Sequence, residues 1–341
     1  MPCVLVSNGE VPNPETPARA DWVQIYLVSL VLVAFLLVIG AIGQLPADPP
    51  RPGSPVTTSP GPGPSVGPSH PDPTALPVVP KILPGGRAHV FGGDRMLVAY
   101  YGTAGTGSLG VLGEAGPDRI MARLTKAAAP FARGGRTVQP VFELIVTVAH
   151  AGPTRTGTYS SDIPRAAVRR YIDAAHRHGV LVVLDLQPGR ADFLTVAKRW
   201  EWALKDPWVG LALDPEWRMG PRQVPARVIG SVRAAEVNQV SRWLDDLTRT
   251  AGLPEKVFLL HQFRTSMVKR IERVLPRSHL ALVQHVDGFG PPRLKLSTFR
   301  AVARPRQFVL GFKLFYDEDV PRMRPDQVLR IRPKVRFVSF Q

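Results

Sequence analysis

The sequence predicts an α/β fold, a (β/α)8 TIM barrel preceded by one transmembrane helix and a Pro-rich linker. Apolar runs rich in valine, leucine and phenylalanine recur eight times after residue 87, and helical patterns separate most of them. Polar residues follow the carboxyl end of nearly every run, as they do in barrel enzymes. The 341 residues, of which 44% are hydrophobic, suffice for one barrel. An open doubly wound sheet is the alternative.

Composition divides the first 86 residues into three segments. Residues 1–21 form a short polar tail, and residues 22–43 are uncharged and long enough for a helix that spans a bilayer. Residues 44–86 are rich in proline, glycine and serine and predict a disordered linker. We expect a single-pass signal anchor in the cell membrane, with the lipid bilayer as its partner and the barrel domain extracytoplasmic. A cleaved signal peptide is the alternative.

The barrel domain is expected over residues 87–341, with strands that are buried on both faces. They are predicted at 96–103, 140–148, 181–187, 209–217, 257–263, 280–287, 308–316 and 335–341. Helices are predicted at 118–132, 164–178, 191–204, 231–252, 266–275, 293–303 and 325–331. The clearest helix, 164–178, has Asp162 as its expected N-cap and ends at Gly179.

Charge and cysteine content narrow the classes of partner. The formal net charge of +16 favours anionic neighbours, although a genome that favours arginine codons explains it equally well. No Lys/Arg-rich run is interleaved with aromatic residues, so we expect no nucleic acid partner. The single cysteine, Cys3, allows neither an intrachain disulfide nor a cysteine cluster for zinc.

Two carboxylates, Asp214 and Glu216, follow the fourth apolar run. Residues two apart on a strand share one face, and barrel enzymes keep their sites at the carboxyl ends of strands. A carboxyl group beside an apolar wall such as Trp217 has a raised pKa, so Glu216 is the expected general acid. Asp214 is expected to assist it. Pairing of Asp214 with an arginine such as Arg218 is the structural alternative.

Further residues at the strand ends are expected to contact a substrate. These are Tyr101, Asp185, Gln187, Trp217, His261, Gln284, Asp287 and Tyr316. Their aromatic members could form a rim on which sugar rings stack. Glu143 lies early in its strand and is expected to face the helices or a salt bridge. The alternative explanation for the polar residues at the strand ends is that loops begin at these positions and that loops are polar.

Two short segments resemble glycoside hydrolase barrels. Asp214-Pro-Glu216 at the end of the fourth strand and Tyr100-Tyr101-Gly102 at the end of the first are similar to motifs of family 18 chitinase-like proteins. The resemblance implies that Glu216 protonates the glycosidic oxygen and that Asp214 orients the N-acetyl group of the substrate. Leu211 and Leu213 depart from the acidic motif of that family. Family 25 lysozyme-like proteins also carry Asp-x-Glu after a strand and imply peptidoglycan as the substrate.

Three functions follow as hypotheses. The first is a membrane-tethered extracytoplasmic glycoside hydrolase-like protein that acts on a cell-wall or N-acetylated polysaccharide, and the second is a non-catalytic glycan-binding barrel. The third is a metal-dependent hydrolase with ligands from Asp185, Asp214, Glu216, His261, His285 or Asp287. No His-x-His or Asp-x-His spacing supports the third, so we expect no metal and no cofactor.

Overall fold

The computed structural model describes residues 81–341, which form a closed barrel of eight parallel strands. The strands are β1 (Met96–Thr103), β2 (Val138–Ala149), β3 (Leu181–Leu186), β4 (Val209–Leu213), β5 (Lys256–His261), β6 (Leu280–Val286), β7 (Val309–Leu314) and β8 (Val335–Phe340). Each strand pairs with the next along the chain, and β8 pairs back with β1. A short strand, Ser160–Asp162, runs antiparallel to β2. The expected TIM barrel is confirmed.

Seven α-helices accompany the strands in the described part of the chain. They are α1 (Pro117–Ala128), α2 (Arg165–His178), α3 (Phe193–Arg199), α4 (Glu201–Leu204), α5 (Ala234–Thr250), α6 (Pro292–Val302) and α7 (Pro325–Leu329). The helix expected at 266–275 is wrong. Two 3-10 turns occupy this segment and flank the strand Val268–Lys269, which pairs with Val232–Arg233. Arg270 adopts a left-handed backbone conformation with φ of 59°, which a continuous helix excludes.

Helix α2 shows how the apolar pattern docks a helix on the barrel. Its buried face contains Val168, Tyr171 and Ile172, and Gly179 ends it in the left-handed conformation. The N-cap is Pro164 rather than the expected Asp162. The Asp162 carboxylate instead accepts a hydrogen bond from Oγ1 of Thr147 at 2.7 Å, because Asp162 belongs to the strand beside β2.

The strands bury two separate apolar layers. One lies between the sheet and the helices and includes Phe142, Trp200 and Phe299. The other fills the amino-terminal half of the barrel interior with Leu97, Ala99, Val141, Leu181, Val183, Ala212, Val257, Leu259, Ala281, Val283 and Phe337. Because side chains alternate along a strand, these residues identify the inward-facing positions of the strands to which they belong.

The amino-terminal end of the barrel is covered by residues that were expected to lie in the linker. Leu83 is buried in the interior apolar cluster, and its carbonyl oxygen accepts a hydrogen bond from the backbone N–H of Gly86. Indole Nε1 of Trp208 donates to the carbonyl oxygen of Ile82 at 2.7 Å. The chain is therefore already folded from residue 81 onward.

The predicted membrane anchor lies outside the described residues. The tail 1–21, the apolar segment 22–43 and the first part of the linker are not described, so these predictions and the extracytoplasmic location stay predictions. Of the helices within residues 81–341, none combines the length and the apolar character that crossing a membrane requires.

Candidate functional site

One inward position near the carboxyl end of every strand departs from the apolar pattern. In the preceding inward layer each strand has an aliphatic residue, phenylalanine or glycine. Two residues later, the interior is lined by Tyr101, Glu143, Asp185, Asp214, His261, His285, Lys313 and Ser339. All eight of these residues are buried. The polar ring therefore lies at the end of the barrel where TIM barrel enzymes have their active sites.

His261 is the most heavily contacted member of this ring. Its Nδ1 lies 2.9 Å from Oδ2 of Asp287, and its Nε2 lies 3.1 Å from Oε1 of Glu143 and 3.8 Å from Oδ1 of Asp185. Burial lowers the pKa of His261, but the contacts with Asp287 and Glu143 and the charge of Asp185 together raise it well above its ordinary value. The structure thus brings His261, Asp185 and Asp287 together at the carboxyl end of the barrel.

Glu143 points into the barrel and not toward the helices, so of its two expected environments, the helix layer or a salt bridge, the structure shows the second. It follows the inward-facing Val141 by two residues and is completely buried. Oε1 of Glu143 lies 3.4 Å from Nδ1 of His285 in addition to its contact with His261. Burial raises the pKa of Glu143, but the charges of His285 and His261 hold it well below its ordinary value.

The imidazole of His285 occupies space that a glycine leaves open. A Cβ atom on Gly311 of the adjacent strand would lie 2.9 Å from Cδ2 of His285. Any larger residue at position 311 would therefore displace the ring. The imidazole is also held by Ser339, whose Oγ lies 3.1 Å from Nε2 of His285.

Asp185, Tyr101 and Lys313 form a second group beside His261. Oη of Tyr101 donates a hydrogen bond to Oδ2 of Asp185 at 2.9 Å. Nζ of Lys313 lies 3.3 Å from the centroid of the Tyr101 ring, which is a cation–π contact. Burial raises the pKa of Asp185 to about 6. Gln187 adjoins this group, with Nε2 3.5 Å from Oη of Tyr101.

Asp214 and Glu216 do not share a strand face as expected, because β4 ends at Leu213. Asp214 caps the 3-10 turn Pro215–Trp217 and accepts a hydrogen bond from the backbone N–H of Glu216 at 3.2 Å. Pro215 has no N–H to extend the ladder, which accounts for the end of the strand. Asp214 is buried and Glu216 is half-buried.

Burial raises the pKa of both carboxyl groups of this turn. Burial raises the pKa of Asp214 well above its ordinary value. Burial, reinforced by the charge of Asp287, raises the pKa of Glu216 to about 7, although Lys313 opposes this shift. Within residues 81–341 neither carboxylate forms an ion pair with an arginine, and Arg218, the expected partner of Asp214, pairs instead with Glu236 at 2.8 Å.

Two expected site residues lie away from the ring, and one lies beside it. Gln284 has the opposite strand parity to His285 and faces the helices, where its Nε2 donates to the carbonyl oxygen of Val302 at 2.9 Å. Tyr316 is 36% exposed and stacks on Phe340 at the rim. Trp217 is buried in the turn that carries Glu216.

Sequence reasoning missed Glu143 and did not select His285, Lys313 or Ser339 as substrate contacts. Glu143 had a usable signal, since a charged residue within a continuous apolar run must be buried and requires a partner. The other three lie at predicted strand ends, but nothing in the sequence separated their inward positions from those of loop residues.

Comparisons with known proteins give similarities to solved structures but no family. No model of a protein family matches the chain, and a search of curated proteins finds no relative. A solved structure that the chain resembles is that of dihydrodipicolinate synthase from Bacillus clausii, with 13% identical residues and a TM-score of 0.29. The match covers 65% of this chain, and the chain spans 61% of that synthase. At this identity the similarity is confined to the fold.

The expectation of a glycoside hydrolase-like protein is corrected by the burial of the candidate carboxylates. A polysaccharide must reach both carboxylates of a glycosidase. Here Asp185, Asp214 and Asp287 are 0%, 3% and 7% exposed. The polysaccharide partner is a prediction that the structure does not support.

Proposed function

We propose that the barrel is an enzyme that transfers a proton to or from a small polar substrate, with Glu216 as the general acid and base. The observation that carries this proposal is the position of Glu216. It is half-buried at the carboxyl end of β4, next to buried carboxylates, and its pKa is raised to about 7. A group with this pKa has both protonation states populated near neutral pH, as general acid–base catalysis requires.

Asp214 supports this role by holding the turn of Glu216 in place. Its carboxyl oxygen accepts the backbone N–H of Glu216, and burial favours its neutral form. We therefore assign Asp214 as a positioning residue, and Glu216 as the residue that exchanges a proton with the substrate.

Lys313 supplies the positive charge that such a reaction needs. Proton abstraction from a carbon next to a carbonyl or carboxylate leaves negative charge on an oxygen, which a fixed cation stabilises. The Lys313 ammonium lies against the aromatic side chain of Tyr101, and both residues belong to the buried polar ring. We infer that Lys313 faces the substrate oxygen, and that Tyr101, Asp185, Gln187, His261 and Asp287 surround the substrate.

The burial of these groups sets the size of the substrate. Asp185, Asp214 and His261 are all at most 3% exposed, so only a small molecule or a narrow end group can approach them. We therefore favour small hydroxy acids, keto acids or sugar acids over polymers. Such molecules also carry the oxygen atoms that Lys313 would bind.

Solvent deuterium exchange tests this function directly. Purified full-length protein is incubated in deuterium oxide with a panel of small hydroxy, keto and sugar acids, and proton NMR follows the loss of C–H signals. We expect at least one compound to exchange, and Glu216→Gln to slow the exchange by about 100-fold or more. Glu114→Gln, at an exposed carboxylate that pairs with Arg123, is the matched control and should exchange at the wild-type rate. Equal rates for wild type and Glu216→Gln would exclude Glu216 as the base, and no exchange across the panel would count against proton transfer at carbon.

A further inference from the structure

We propose that Glu143, His261 and His285 bind a divalent transition-metal ion inside the barrel, with Zn²⁺ as the best fit. The three side chains come from three strands, β2, β5 and β6, and converge in the barrel interior. One ligand atom of each lies within 4.8 Å of the others, and all three residues are completely buried. This binding site goes beyond the proposed proton transfer and does not depend on it.

The distances in this cluster match the edges of a coordination sphere. A tetrahedral ion with bonds of about 2.0–2.1 Å separates neighbouring ligand atoms by about 3.3 Å. Oε1 of Glu143 lies 3.1 Å from Nε2 of His261 and 3.4 Å from Nδ1 of His285. Two edges of the cluster therefore fit a single ion, and the ligand atoms of the three residues all lie within 4.8 Å of one another.

The same atoms lack hydrogen bonds in the described part of the chain. Both carboxylate oxygens of Glu143, Nε2 of His261 and Nδ1 of His285 are buried without a hydrogen-bond partner. Buried polar atoms are nearly always satisfied, and an unsatisfied group needs an explanation. An ion at the centre of the cluster would satisfy the nitrogen atoms and at least one oxygen at once.

The outer contacts of both histidines are those of metal ligands. Nδ1 of His261 is hydrogen-bonded to Asp287, which leaves Nε2 facing Glu143. Nε2 of His285 is hydrogen-bonded to Ser339, which leaves Nδ1 facing the same oxygen. Metal-binding histidines typically use their second nitrogen in this way, because the outer hydrogen bond fixes the tautomer and the ring orientation.

The donor set and the charge of the site indicate the kind of ion. Two imidazoles and a carboxylate suit zinc, iron, copper or nickel better than magnesium or calcium, which prefer oxygen ligands. Oδ1 of Asp185, also buried without a hydrogen bond, lies 3.8 Å from Nε2 of His261 and is placed to serve as a further ligand or to hold a bound water. The competing explanation is a metal-free ion-pair network with a protonated His261 between Asp287 and Glu143.

Metal binding by the full-length protein distinguishes the two explanations. The protein is stripped with a chelator and titrated with Zn²⁺ by calorimetry and with Co²⁺ by absorption spectroscopy. We expect one ion per chain, a higher melting temperature with Zn²⁺, and the ligand-field absorption of low-coordinate Co²⁺. No retained ion and an unchanged melting temperature would overturn the proposal in favour of the ion-pair network.

Variants then locate the ion. Glu143→Gln and His285→Gln should each weaken Zn²⁺ binding at least 100-fold, whereas His176→Gln should bind like wild type, because His176 pairs with Asp206 away from the cluster. If the buried variants fail to fold, X-ray absorption on the Zn²⁺-loaded wild type counts its imidazole ligands. We expect two imidazoles at bond lengths of about 2.0–2.1 Å. A zinc ion without histidine ligands, or one lost in His176→Gln, would refute the assignment.

Discussion

The Nδ1 atom of His261 lies 2.9 Å from Oδ2 of Asp287, and this contact turns the other nitrogen of the ring toward Glu143. The pair joins the end of β5 to the residue that follows β6. Asp287 thereby controls the orientation of a histidine at the centre of the polar ring. A substitution of Asp287 should therefore alter any function that depends on Nε2 of His261.

Asp287→Asn should weaken Zn²⁺ binding by about 10- to 100-fold without abolishing it. An amide oxygen can still accept the hydrogen bond from His261, but it lacks the charge that increases the basicity of the ring. Calorimetric titration of the stripped protein measures the effect. Asp317→Asn, at an exposed carboxylate, is the control and should leave the affinity unchanged. An unaltered affinity in Asp287→Asn would show that Asp287 does not orient a ligand.

Glu216→Gln should stabilise the fold above neutral pH but not in acid. The pKa of Glu216 is raised from 4.5 to about 7 in the folded protein. Between these values the unfolded state has lost its proton and the folded state has kept it, so folding becomes less favourable as pH rises. Glutamine removes this penalty.

Urea unfolding at about pH 4 and about pH 8 measures this effect. We expect no difference between variant and wild type at the lower pH, and a gain on the order of 1 to 3 kcal/mol at the higher pH. The wild-type protein thus has a lower free energy of unfolding at the higher pH because Glu216, a proposed functional residue, is kept at this position. A gain of the same size at both pH values would mean that packing, and not ionisation, separates the two proteins.

Lys313→Met should move the titration of Glu216 to higher pH. The positive charge of Lys313 favours the ionised form of Glu216 and partly offsets the effect of burial on its pKa. Exchange should be slower in the variant, because the charge at the substrate oxygen is lost. If the remaining deuterium exchange depends on ionised Glu216, the low-pH limb of its pH profile should shift upward. Lys334→Met, at a surface lysine that pairs with Asp94, should not shift the profile. A downward shift in Lys313→Met would contradict the assigned geometry.

The buried ion pair of Lys295 and Asp319 should stabilise the two loops next to the site. Nζ of Lys295 lies 3.0 Å from Oδ2 of Asp319 and donates to the carbonyl oxygen of Gly288, whereas Asp319 accepts the backbone N–H groups of Gly290 and Phe315. The pair thus ties the loop after Asp287 to the loop after β7.

Asp319→Ala should cost about 3–5 kcal/mol of stability, because it leaves a buried charge without its partner. Lys295→Met in the same chain should recover part of this loss, so the two changes should not be additive. Urea denaturation of the single and double variants measures the coupling. Additive losses would indicate that the ion pair contributes no net interaction.

The eight strands could be predicted because parallel barrel strands must be apolar on both faces. Runs such as 181–187 are short, apolar and rich in valine and leucine, as is typical of such strands. Because the strands are apolar on both faces, the sequence does not show which face each residue occupies. A run without alternation carries no period, so nothing in the sequence showed that Glu143 points inward and Gln284 points outward.

The site was predicted best where the chain itself brings residues to the strand ends. Asp185, His261 and Asp287 were for this reason expected at the carboxyl end of the barrel, and the structure brings them together. The cluster of Glu143, His261 and His285 was not predicted, since its members are far apart in sequence and meet only through the closure of the barrel. Metal ligands from separate strands leave no short spacing motif.

The most direct test of the account is the ionisation of Glu216 itself. Carbon-13 NMR of the glutamate side-chain carboxyl groups, recorded across pH, reports the pKa of Glu216, whose signal is identified by its loss in Glu216→Gln. We predict a midpoint of about 7. A midpoint near the ordinary value of 4.5 would contradict the claim that the barrel mouth prepares Glu216 for proton transfer near neutral pH.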